Sequence, residues 1–129
     1  MKKSKFKKIK NNIEWFDDPE DSNYPAALSY LSLIYQPSVA GLIVENLKKA
    51  EMSSFKAKDI FRASRLPLLG ISNFQIKKNL KKIKNGEKIS PLLLVRDKVT
   101  NRLIIADGYH RISAIYSLDE DISVPCKII

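Results

Sequence analysis

Two helical stripes open the patterned part of the chain. Ala27, Leu28, Leu31, Ile34 and Tyr35 follow Pro25 at three- and four-residue steps, with Ser22 or Asn23 placed to cap the helix. Pro37 is expected to stop that helix and Ser38 to start another, running to about Ala50 with Val39, Leu42, Ile43 and Leu47 on its buried face. Lys48 and Lys49 stand at its end, where a helix dipole favours cations. From Met52 the period changes. Residues 55–60 alternate weakly, as an exposed edge strand does, and residues 61–70 contain Arg62, Arg65, Pro67 and Gly70 and read as a loop. Ser72 and Gln75 have capping-box spacing for a third helix. Ile76, Leu80 and Ile83 form its inner face, lysines fill the rest, and Asn85-Gly86 supplies a left-handed end.

The second half is more apolar. Residues 91–95, Pro-Leu-Leu-Leu-Val, predict a strand, and residues 102–106 predict a second, buried one that pairs with it as a hairpin. Asp107-Gly108 breaks the run, after which Ile112, Ile115 and Tyr116 return at helical spacing. A short strand over residues 124–129 closes the pattern, with Pro125 suited to an edge or to the first residue of pairing. From residue 55 the expected order is strand, helix, strand, strand, helix, strand, behind a helical layer.

Candidate chemistry concentrates at the strand-turn-helix junction. A glycine turn feeding a helix aims the first free N–H groups at whatever lies above it, which suits an anion. Gly108 lets a ligand approach the backbone, and Tyr109, His110 and Arg111 follow it, the last two being phosphate donors. Two roles are open to Asp107: a carboxylate for Mg²⁺, and an N-cap holding the N–H of Tyr109 or His110. Arg111 either clamps phosphate or pairs with Asp59 or Asp119.

Charge changes this picture at one place. The net charge is +9, and Lys2, Lys3, Lys5, Lys7, Lys8 and Lys10 precede any acid, forming a basic arm over residues 1–12. Such an arm holds nucleic acid by counterion release or is simply a solvated tail. Glu14, Asp17, Asp18, Glu20 and Asp21 follow as an acidic patch around Trp15 and Phe16. One cysteine, Cys126, and one histidine rule out a disulfide framework and make a zinc site improbable; a buried hydrophobe is the expected role of Cys126. No apolar run has transmembrane length and no signal-peptide core precedes residue 30, so a cytoplasmic protein without a membrane partner is expected.

The element order, with Asp59-Ile60-Phe61-Arg62, Leu66-Pro67-Leu68 and Gly108-Tyr109-His110-Arg111, resembles the ParB/sulfiredoxin superfamily over residues 58–129. Residues 108–111 are similar to the Gly-Cys-His-Arg turn of sulfiredoxins and the Gly-x-Arg-Arg turn of ParB proteins. Residues 107–111 also resemble the Asp-Gly-His-x-Arg turn of free serine kinases. The resemblance implies an α/β fold with a small mixed sheet flanked by helices; the two leading apolar stripes add a helical extension over residues 13–54, expected to pack on a domain of residues 55–129. It implies ATP or CTP with Mg²⁺, held by Gly108, Tyr109, His110 and Arg111, with Arg62 and Arg65 in a loop over the nucleotide and Asp107 in the catalytic and metal role. Tyr109 stands where sulfiredoxins carry their reactive cysteine, so thiol chemistry is not implied. No helix-turn-helix follows residue 129, so centromere reading of the ParB kind is not expected, and Leu69 and Gly70 stand where the kinases place a glutamate base. The expectation is a nucleoside triphosphate-binding protein, as a phosphotransferase or a switch. Its rivals are a nucleic-acid-binding module using the arm and the lysine face of the third helix, and a non-enzymatic interaction protein that keeps the fold.

Overall fold

The structure, a computed structural model, describes residues 13–70 and 72–129, so the basic arm lies outside the described residues. The elements are α1 (Asn23–Leu31), α2 (Pro37–Lys49), β1 (Met52–Lys56), α3 (Ala57–Ser64), α4 (Phe74–Lys84), β2 (Leu92–Asp97), β3 (Arg102–Asp107), α5 (Tyr109–Leu118) and β4 (Ser123–Ile128). The strands form one mixed sheet in the order β1-β4-β2-β3, with β2 parallel to β4 and the other two pairs antiparallel. Among the described residues this is an α/β fold, a four-stranded mixed sheet flanked by five helices.

The run Leu92-Leu93-Leu94-Val95 is continuous because β2 is buried on both faces. Leu92 and Leu94 enter a core with Ile60 and Phe61 of α3, Ile83 of α4, and Ile112 and Ile115 of α5. Leu93 and Val95 enter a second core with Tyr24, Ala27 and Leu31 of α1 and Ala40, Val44 and Leu47 of α2. The sheet is thus the middle of three layers, and the boundary drawn between residues 54 and 55 falls inside β1.

Several expectations are corrected. Residues 57–60 are not a strand and residues 61–64 are not a loop: Ala57, Ile60, Phe61 and Ser64 are buried at helical spacing, and that stripe outweighs the weak alternation. Loop carbonyls accept the first N–H groups of α3, from Ala57 to Ile122 at 2.9 Å and from Lys58 to Glu120 at 2.9 Å. Pro37 opens α2 instead of ending α1, after Gln36 in the extended conformation that a following proline imposes. The buried stripe of α2 is Ala40, Val44 and Leu47, so Val39 and Leu42 face solvent. Because α1 ends at Leu31, Ile34 falls beyond the helix and is exposed, as is Leu28. Asn73, not Ser72, caps α4, its Oδ1 accepting from the N–H of Gln75 at 2.9 Å and of Ile76 at 3.3 Å.

Strand positions differ too. β3 lies at an edge, whereas β4 is interior. Pro125 is tolerated there because pairing of β4 with β2 starts only at Cys126, opposite Leu92. Lys127, on the second core's side, is buried; its Nζ donates to the Lys48 carbonyl at 2.9 Å, at the C-terminal end of α2. Burial pushes the Cys126 thiol up to about 11.

Residues 14–23 run back to the start of β2. Phe16 N–H donates to Ile89 at 3.0 Å and Ile89 N–H to Glu14 at 2.9 Å. Glu20 N–H donates to Ser90 Oγ at 3.0 Å, and Asn23 Nδ2 donates to the same oxygen. Asn23 is therefore the first helical residue with its side chain spent on Ser90, and Ser22 takes the cap position without a side-chain bond. These contacts wall one side of the cleft described below.

Leu31→Ala empties a site of zero exposure and is expected to cost about 2–5 kcal/mol in urea denaturation, whereas Leu33→Ala, on a residue 86% exposed, should stay within about 0.5 kcal/mol of the parent. Cys126 should resist an aromatic disulfide reagent at pH 8 in native buffer and react stoichiometrically in denaturant, since burial withholds both access and thiolate.

Candidate functional site

Gly108 is required by its geometry. Its φ of +111° is costly for an L side chain, and a Cβ there would lie 2.7 Å from Leu92 Cγ and 2.9 Å from Arg111 Nη2. The chain therefore turns sharply from β3 into α5 with the turn pressed against the first residue of β2. Gly108 occupies the cap position of α5 and no side chain caps it. The first helical bond runs from Ile112 N–H to the Gly108 carbonyl at 2.9 Å, so the N–H groups of Tyr109, His110 and Arg111 lie ahead of the ladder.

Asp107 is not an N-cap. Its Oδ2 accepts from Arg111 Nη2 at 2.9 Å, and both side chains are 17% exposed. Arg111 thus pairs with Asp107 instead of Asp59 or Asp119, and the same Nη2 donates to the Pro91 carbonyl at 3.3 Å. Its Nε is buried without a partner. This guanidinium ties the end of β3, the first turn of α5 and the approach to β2 together. A structural share of its role follows directly, whatever it offers a ligand.

A polar cleft of about 240 Å³ lies over this turn. Gly108, Tyr109, His110 and Arg111 line it, together with Asp107. Its opposite wall is a stripe of α4, Gln75, Lys78, Asn79 and Lys82, which recur at steps of three, one and three and so share one helix face. Lys88, Ile89, Ser90 and Glu20 complete the lining. Four cationic side chains, Lys78, Lys82, Lys88 and Arg111, face two carboxylates, Asp107 and Glu20, of which Asp107 is already paired. Lys88 Nζ also lies 5.8 Å from the Phe16 ring centroid. Arrangements like this concentrate positive potential where a helix N-terminus already points.

Tyr109 and His110 form a tilted ring pair 5.9 Å apart at the rim, His110 being exposed. The Tyr109 hydroxyl donates to the Pro67 carbonyl at 2.5 Å, which ties residues 66–70 to α5. Arg62 and Arg65 are not brought to this turn. Arg62 lies on α3 with its side chain 82% exposed, Arg65 ends that helix in the left-handed conformation, and both line a different cleft. In the sequence the lysines of α4 suit a solvated face or a nucleic-acid surface, and nothing there says which part of that face meets α5. The spacing of residues 75, 78, 79 and 82 was the available signal.

For a metal the donor set is thin. Among the described residues no three His, Cys, Asp or Glu side chains gather. Mg²⁺ at Asp107 would contend with Arg111 for the carboxylate and share the cleft with Lys78, Lys82 and Lys88. The chain matches no family model, no curated protein and no solved structure, so its function has to be read from this geometry.

Gly108→Ala is expected to lose on the order of 1–3 kcal/mol of stability, through the strained φ and the contact with Leu92. Arg111→Ala should lose about 1–3 kcal/mol, the scale of charge-assisted hydrogen bonds left unmade. Both are read from urea midpoints.

Proposed function

We propose that the cleft over residues 107–111 binds the phosphates of a nucleoside triphosphate. The observation that carries this reading is the convergence of the uncapped α5 N-terminus with Lys78, Lys82 and Lys88 around about 240 Å³ of polar space. That volume suits a phosphate chain, leaving the nucleoside to lie at the rim near Tyr109 and His110. Lysine ammonium groups act as point charges on such a chain, while backbone N–H groups orient it. ATP and CTP are the candidate ligands, with Mg²⁺ carried on the phosphates and Asp107 a lining carboxylate able to share it. In a phosphoryl transfer, positioning and charge neutralisation supply most of the effect, and these residues are suited to both. The resemblance of residues 107–111 to the turns of the ParB/sulfiredoxin superfamily points the same way.

A nucleic-acid module is the second reading, favoured by the remaining lysines of α4. Lys77, Lys81 and Lys84 are exposed, and no carboxylate among the described residues pairs with them. The two readings separate by ligand and by salt.

Calorimetry with ATP, CTP, GTP and ADP, each with and without Mg²⁺, is expected to give one-site binding for at least one triphosphate. A Lys78→Ala/Lys82→Ala double variant should bind at least tenfold more weakly, about 1.4 kcal/mol, with its urea midpoint unchanged. Absence of heat for every nucleotide at millimolar concentration refutes the reading. Tight duplex or single-strand binding that falls steeply with salt, and is lost on deleting residues 1–12, supports the module instead.

A further inference from the structure

A second cleft, of about 600 Å³, opens on the α3 side of the sheet. Its floor takes an apolar side chain from every strand: Phe55, Ile128, Leu94 and Leu103, with Ile60 from α3. The pairing register puts them on one face, since Leu94 is opposite Ile128, Leu103 opposite Arg96, and Phe55 opposite Val124. Phe55 is 38% exposed, more than an aromatic ring on a sealed face would be.

The rim is cationic. Arg62, Arg65, Arg96, Lys98 and Arg102 line it against two carboxylates, Asp59 and Asp97. Asp97 is occupied elsewhere, accepting from the Tyr35 hydroxyl at 3.0 Å and from Thr100. Asp59 reaches Arg62 only at 3.8 Å. Arg102 is held in place by the Ser64 carbonyl at 2.9 Å, while Arg65, Arg96 and Lys98 have no ion-pair partner among the described residues. The lysine-rich residues 1–12 carry the same sign as this rim.

We propose that this cleft binds a small amphipathic organic anion, its aliphatic or aromatic body over Leu94, Leu103 and Ile128 and its carboxylate or sulfonate against Arg62, Arg65 and Arg96. The volume lies within the range of small-molecule sites, and the pairing of an apolar floor with a few charged groups at one side is how such sites combine affinity with orientation. Guanidinium groups suit the anionic end because each offers a planar fork of donors to a carboxylate. This inference is independent of the nucleotide reading, since the clefts share no lining residue.

The test uses the full chain with decanoate below its micellar concentration, and with decanol and acetate as controls. Saturable one-site binding of decanoate is expected by calorimetry, at least tenfold tighter than either control, with amide shifts at Phe55, Leu94, Leu103 and Ile128. Arg62→Glu/Arg96→Glu, on two exposed residues, should weaken decanoate at least tenfold, and Phe55→Ser should weaken it through the floor alone. Tripolyphosphate should leave decanoate binding unchanged. Equal affinity for decanoate and decanol, indifference to the arginine variants, or displacement by tripolyphosphate overturns the proposal. So does tight binding of an alternating Glu-Leu peptide with no binding of decanoate, which assigns the cleft to a protein partner.

Discussion

Leu92, Leu93, Leu94 and Val95 point alternately into two dry cores, and every layer of the molecule is placed by that alternation. Each fully buried side chain of this size contributes roughly 1.5–3 kcal/mol, and a shift of one residue along β2 would exchange the contents of both cores. Of the β2 side chains, Leu93 and Val95 share a core with α1 and α2, while Leu92 and Leu94 share the other with α3, α4 and α5. The same constraint reaches the polar cleft, since Leu92 is the residue against which Gly108 is pressed. A backbone turn held by a core leucine keeps its N–H groups in place without help from a ligand.

Opposing roles meet at Arg111. Paired with Asp107 and with the Pro91 carbonyl, it neutralises a carboxylate that would otherwise weaken the cleft for anions. The positive character of the cleft then comes from α4, from Lys88 and from the helix terminus. A ligand there would meet ammonium groups on flexible stems on one side and rigid backbone donors on the other.

Much of the fold was legible where side-chain period and burial coincide. The apolar run of β2, the Gly86 end of α4, the hairpin and the Asp107-Gly108 turn all followed from local chemistry. In the structure Gly86 N–H donates to Ile83 at 3.1 Å and Glu87 N–H to Lys82 at 2.9 Å, as a left-handed helix end requires. α3 was obscured because Phe55 and Lys56 belong to a strand that joins the helix without a spacer, so two periods overlapped within a few residues. Pro125 suggested an edge because a sequence carries no sign of which strand arrives beside it. In α2 two overlapping apolar stripes competed, and the choice of Ala40 over Val39 was made by the neighbouring layer. The site was half legible for the same reason. Residues 107–111 lie together in the chain, whereas Lys78 and Lys82 join them only through the packing of α4 on α5, and Arg62 and Arg65 are carried off by α3.

β4 is the latest strand in the chain yet lies between β1 and β2. Met52 pairs with Lys127 across most of the described chain, so β1 has no strand partner until β4 has been made. During folding, β1 and one side of β2 therefore wait with unsatisfied edges, while the hairpin of β2 and β3 forms from local contacts. The vulnerable interval in folding falls between the pairing of β2 with β3 and the docking of β4, when the apolar strand is open to any passing edge.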